Sequence, residues 1–202
     1  MTASLAAEQR EVAQARILRA AGAVLAARGL TATVDDVAEA AGVSRRTIFR
    51  HFATRDALFV TVIRAGIRRY AEQIPAPPAE DDLRGWLPEL LAVTHRLNAR
   101  NGRVFWDLVG LQAADLAPDL AMVAGECQDS RNRFAASVTE LLWRARHGPG
   151  QPPQWLVDAV AVQLSGFTTQ SLAGDLGRTP DEVALVSAQV VEAALAAALI
   201  AD

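Results

Sequence analysis

Residues 33–59 of this 202-residue chain, TVDDVAEAAGVSRRTIFRHFATRDALF, leave few folds open. Thr33 is a good N-cap, and Asp36 three residues on completes a capping-box-like pair in a first turn that favours acids. Val37, Ala40 and Ala41 then fall at the i, i+3, i+4 spacing of a buried face. Gly42 stands where a helix end wants a residue free to take positive φ, and Val43 plugs the turn. Ser44 caps a second helix that turns Ile48 and Phe52 inward. Its outward face is Arg45, Arg46, Thr47, Arg50 and His51. This is the layout of a helix-turn-helix, with cations and a hydroxyl offered to a major groove.

An Arg-rich amphipathic helix can also carry a merely solvated basic face. Against that, the A-x-x-A-G-V-S run has small and apolar residues at the offsets the motif needs. Arg55 follows the N-cap Thr54, in a first turn where the macrodipole disfavours a cation, and a phosphate partner would explain it. The segment also resembles the DNA-binding domain of TetR-family transcriptional regulators. Thr33, Val37, Ala38, Ala41, Gly42, Val43, Ser44, Thr47, Ile48, Phe49, His51, Phe52, Arg55 and Leu58 carry that resemblance. It implies a dimer that reads a palindromic double-stranded DNA operator. Arg45 and Arg46 would meet base edges, since Arg pairs bidentately with guanine. Thr33, Ser44, Thr47, His51 and Arg55 would position the backbone, with Arg50 on the same face. Phe49 stands where the family often has Tyr, so a phenol-to-phosphate hydrogen bond is lost.

The overall charge of −3 hides an asymmetry. Residues 1–73 hold eleven Arg against seven acids, +4, and the remainder nine Arg against sixteen acids, −7. A basic head on an acidic body fits one DNA-facing domain and one with another task. Residues 1–10 lack the basic and apolar regions of a signal peptide. Ser187, Gln189 and Glu192 interrupt the most hydrophobic stretch, so no membrane association and a cytoplasmic location are expected.

Periodicity predicts an all-α chain. A helix over 8–28, with Val12, Ile17, Ala21, Val24 and Leu25 inward, is closed by Gly29; in the family it packs behind the helix-turn-helix. A helix over 55–73 buries Leu58, Phe59, Val62 and Ile63 and leads to Pro75, Pro77 and Pro78, which forbid helix. Residues 1–73 are therefore expected to form the DNA-binding domain and residues 80–202 a larger helical ligand-binding and dimerisation bundle. The bundle reads as helices near 82–99, 103–115, 118–146, 154–173 and 179–202, the last opened by N-cap Thr179, Pro180 and Glu182.

Catalytic chemistry is thinly supplied. No His/Cys/Asp cluster has metal spacing and no Gly-rich loop suggests a phosphate cradle, so neither catalytic residues nor a metal nor a cofactor is expected. A Cys127–His95 thiol–imidazole pair is the one enzymatic alternative, without local sequence to support it. Trp86, Phe105, Trp106, Phe134 and Phe167, with Gln170, are candidates to line a pocket for a small apolar or aromatic ligand. His95, Gln112, Arg131 and Thr168 are further polar candidates. Small residues on the last two helices form two stripes, Ala159, Val162 and Gly166, and Val183, Val186, Val190, Ala193 and Ala197. The resemblance implies that such a pair of helices forms a homodimer interface. The expected function is a DNA-binding transcriptional regulator, a repressor released by a small molecule; control by a protein partner is the alternative.

Overall fold

Capping chemistry sets the helix boundaries of this chain. The computed structural model describes residues 5–78, 83–110 and 116–200, and among the described residues every regular element is helical. Helix α1, Leu5–Arg28, ends where Gly29 takes φ 63°, and a 3-10 turn, Gly29–Thr31, follows. Then come α2 Val34–Ala41, α3 Arg45–His51, α4 Arg55–Gln73, α5 Leu83–Gly110, α6 Pro118–Ala145 and α7 Gln154–Gln163. The one-turn α8, Gly166–Thr169, runs into a π-helical segment, Gln170–Asp175, before α9, Pro180–Ile200.

The chain forms two compact units: Met1–Arg69 with Gly102–Gly125, and Tyr70–Asn101 with Glu126–Asp202. Helices α4, α5 and α6 therefore contribute residues to both. In the first unit Ile17, Ala21, Leu25, Val37, Ile48, Leu58 and Phe59 are essentially inaccessible. Two inward assignments are corrected. Val12 is 69% exposed, because the burying stripe of α1 begins only at Ile17. Ala40 is exposed, and Ala38 takes its place beside Val37 and Ala41.

The second unit packs α5, α6, α7 and α9 around Leu90, Leu91, Trp143, Leu156, Val160 and Leu195. Trp143 is fully buried, and its indole N–H reaches the carbonyl of Pro149 at 3.3 Å. Gly148 lies flat on that ring: a Cβ there would stand 2.1 Å from Trp143, so no other residue fits without displacing the tryptophan. At the start of α9 the Thr179 amide and hydroxyl both donate to Glu182, at 2.8 and 3.0 Å, and the Glu182 amide returns to the hydroxyl. Those bonds hold the Glu182 carboxyl below its ordinary range.

Two helices differ from the periodicity. Residues 83–110 form one helix and do not break near 99–103, since neither Asn101 nor Gly102 removes a backbone donor as proline does. Pro88 sits beyond the first turn, where the ring removes one helical bond. The helix expected over 154–173 breaks at Leu164 and restarts at Ser165, whose hydroxyl caps the Thr168 amide at 3.3 Å.

A polar seam crosses this apolar core. His95 on α5 is completely buried; its Nδ1 lies 2.8 Å from the Thr169 hydroxyl and its Nε2 3.1 Å from the Ser187 hydroxyl. Asn98 donates to the same Thr169 oxygen at 3.1 Å and accepts from the Tyr70 phenol at 3.2 Å. Thr94, also fully buried, places its hydroxyl against the Tyr70 phenol. Burial pushes the His95 pKa down to about 4 and the Tyr70 pKa up to about 12, so both are neutral at pH 7.

The unfolded chain takes up the His95 proton near the ordinary 6.5, the folded chain only near 4. Stability carried by the neutral ring is thus fully present above about pH 6.5 and is lost as pH falls through this window. Between pH 7 and pH 5 the wild type should lose on the order of 2 kcal/mol of unfolding free energy from this group. Urea titrations of the wild type and His95→Gln at both pH values check this; equal losses in the two would mean that His95 is not held neutral.

Candidate nucleic-acid interface

Helix α3 is seven residues long, and its orientation rests on what surrounds it. The Thr33 hydroxyl and amide both donate to the Asp36 carboxylate, at 2.9 and 2.8 Å, while the Asp36 amide donates to the Thr33 hydroxyl at 3.2 Å. These bonds lower the Asp36 pKa, assisted by an ion pair with Arg28. Gly42, at φ 60°, closes α2 and lets the Val43 amide return to the Ala38 carbonyl at 3.0 Å. The Ser44 hydroxyl then accepts from the Thr47 amide at 3.2 Å and lies 3.0 Å from the Thr47 hydroxyl. Ile48 and Phe52 are buried beneath.

The predicted DNA-facing residues consequently separate into two groups. Arg45, Arg46, Phe49 and Arg50 are exposed on one face of α3, Phe49 at 42%. Arg45 pairs with Asp35 at 3.1 Å, but both side chains are more than 60% exposed. Such a pair is worth less than about 1 kcal/mol and yields readily to a better partner. Thr33, Ser44 and Thr47 are tied up in the caps just described. His51 is half-buried, with Nε2 enclosed and unbonded among the described residues.

Arg55 takes a different role from the one its position suggests. Its Nε donates to the Ala32 carbonyl at 3.0 Å, one terminal nitrogen to the Leu30 carbonyl and the other to Asp56 at 3.0 Å. The guanidinium also lies 4.5 Å above the Phe59 ring. Carbonyls at the α1–α2 corner, with Asp56, account for a cation in this first turn. No phosphate need be invoked. The amide of the same Leu30 donates to the Asp107 carboxylate on α5 at 2.7 Å, a partnership at a separation of 77 residues that no local pattern announces.

The remaining predicted residues do not converge on one site. Trp86 is a core residue whose indole donates to the Pro75 carbonyl at 3.1 Å, and Phe134 packs half-buried on that core. Phe167 and Gln170 are exposed, because the break at Ser165 changes the face they occupy. The side chains of Phe105 and Trp106, and all of Gln112, lie outside the described residues. On α9, Val186, Val190, Ala193 and Ala197 share an exposed face, whereas Val183, one heptad before Val190 on the same stripe, is fully buried. Val162 is exposed, and Ala159 and Gly166 are half-buried. The Cys127–His95 pair is not formed: both His95 nitrogens are taken, and burial pushes the Cys127 thiol up to about 11.

Removing the Arg55 guanidinium leaves the buried Ala32 carbonyl without its donor. Arg55→Ala should lower the unfolding free energy by about 1–3 kcal/mol, with Arg55→Lys restoring only part. Thermal unfolding measures it; an unchanged midpoint would return Arg55 to a purely phosphate-facing role.

Residues 17–62 match the family model for bacterial regulatory proteins of the tetR family. The chain is 32% identical over 88 residues to the HTH-type transcriptional repressor SCO4008 of Streptomyces coelicolor. That match spans 43% of this chain and 45% of the relative, so it covers about half the length of the curated relative. Among solved structures, a candidate transcriptional regulator from Pseudomonas aeruginosa PAO1 superposes with TM-score 0.65 at 20% identity, covering 94% of this chain and 91% of the other. The regulator FadR from Bacillus subtilis, solved with stearoyl-CoA, does so with TM-score 0.62 at 15% identity, covering 90% and 97%. At these identities the two structures bear on the fold alone. Residues 17–62 are thus similar to the helix-turn-helix domain of the tetR family of bacterial regulatory proteins.

Proposed function

We propose that this protein is a cytoplasmic, homodimeric transcriptional repressor that leaves a palindromic operator when a small molecule binds its C-terminal body. One observation carries the DNA-binding part. Arg45, Arg46, Phe49 and Arg50 stand exposed on a helix whose caps and buried side are fully used, within the stretch that matches the family. Arg45 and Arg46 read bases, Arg50 meets phosphate, and the Phe49 ring packs against sugar or a thymine methyl. Residues 1–73 are the reading head and residues 80–202 the body.

Dimerisation is supported by exposed apolar surface. Val162, Phe167, Leu185, Val186 and Val190 are all at least 40% exposed on helices of the second unit, apolar side chains that a partner subunit could cover. Helix α9 is also long and apolar enough to cross a membrane, with mean hydropathy 2.1. Its Ser187 bond to His95 and its Glu192 pair with Arg146 instead favour a place in a folded unit.

The ligand reading draws on the FadR precedent and on the neutral seam of Tyr70, Thr94, His95, Asn98 and Thr169. The buried Thr94 hydroxyl, beside Tyr70, could bond a polar group on an otherwise apolar or aromatic molecule. The seam replaces the aromatic set as the recognition element.

Arg45→Ala or Arg46→Ala should cost about 1–3 kcal/mol on a selected duplex and relax preference at one position per half-site. Arg50→Ala should weaken all duplexes alike and flatten the salt dependence. Uniform loss in all three variants would remove the base-reading assignment. Val190→Glu should shift the protein toward monomer with helix content retained; sedimentation showing an intact dimer would place the interface elsewhere.

A further inference from the structure

Leu30 sits at the corner between α1 and α2, just past the left-handed Gly29, and both ends of its peptide grouping are held by distant side chains. Asp107 accepts from its amide at 2.7 Å, and Arg55 donates to its carbonyl and to that of Ala32. Arg55 belongs to α4, which follows the recognition helix directly. Asp107 belongs to α5, a continuous helix whose earlier residues include Leu90, His95 and Asn98 of the second unit.

A helix carries displacement along its axis with little loss, so Asp107 is where movement of α5 must appear in the first unit. We propose that Asp107 is a positioning residue: through the Leu30 amide it sets the α1–α2 corner, and it couples α5 to the presentation of α3. The coupling half of this rests on the repressor reading above; the positioning half does not. A carboxylate suits the role because a charged acceptor holds a backbone N–H more strongly than a neutral one. The bond is directional, so a shift or turn of α5 weakens it before any apolar contact is lost.

The experiment is hydrogen exchange on the full chain, comparing the wild type with Asp107→Leu and Asp107→Asn, the latter keeping an acceptor oxygen. Without DNA, Leu30 exchange should rise at least tenfold in Asp107→Leu and much less in Asp107→Asn, with exchange over residues 156–164 unchanged. Equal Leu30 exchange in all three proteins would overturn the proposal. With a double-stranded DNA selected by the wild type from a random pool, binding should slow exchange along α5 as far as His95 in the wild type and in Asp107→Asn. In Asp107→Leu that protection should be absent even at saturation. A fold made merely less stable would raise exchange everywhere and still transmit the DNA effect, which would overturn the coupling. If the wild type binds no duplex, the repressor reading fails, and Leu30 exchange alone decides the positioning role.

Discussion

The guanidinium of Arg55 on the carbonyls of Leu30 and Ala32 is the interaction on which the reading head depends. It joins the start of α4 to the corner that ends α1, across the two short helices between them. Helices of eight and seven residues have almost no stability of their own. Their geometry must come from caps and from the helices that bracket them. Thr33 with Asp36, Gly42 and Ser44 supply the caps. Ile48 and Phe52 supply the anchor on the buried side. With α3 capped and anchored this way, its outer arginines are left to engage something else.

The second unit solves another problem. Its core is apolar, yet a seam of six hydrogen-bonding side chains, Tyr70, Thr94, His95, Asn98, Thr169 and Ser187, runs through it, and five of them bond one another. The seam ties α5 to α8 through Thr169 and to α9 through Ser187, the helix bearing the exposed valine stripe. Immediately after Thr169 the backbone leaves the α-helical pattern for a π-helical one, an irregularity often found beside functional sites. The proposed ligand site and the apolar face of α9 therefore share a few residues.

Much of the head was legible in the chain because its determinants are local. A capping pair three residues apart, a glycine that must take positive φ and a serine before a short amphipathic run each act within one turn. The inner residues of α3 and α4 followed from spacing alone. What escaped reading was tertiary. Arg55 bonds carbonyls 23 and 25 residues upstream, which no local pattern announces. Asp107 carried no signal at all. In the body, the Ser165 break moved Phe167 and Gln170 to the surface, a consequence of one hydroxyl capping one amide. Val183 and Val190 share one stripe of α9, yet the first is buried and the second exposed, and a helix apolar almost all round gives no hint of where its burial ends.

Selection of bound duplexes from a random pool by the full-length chain tests the central claim most directly. The account predicts enrichment of a palindrome whose half-sites lie about one helical turn apart, roughly 34–36 Å, with guanine at the positions Arg45 and Arg46 read. Recovery of no enriched sequence, or of one without two-fold symmetry, would contradict it.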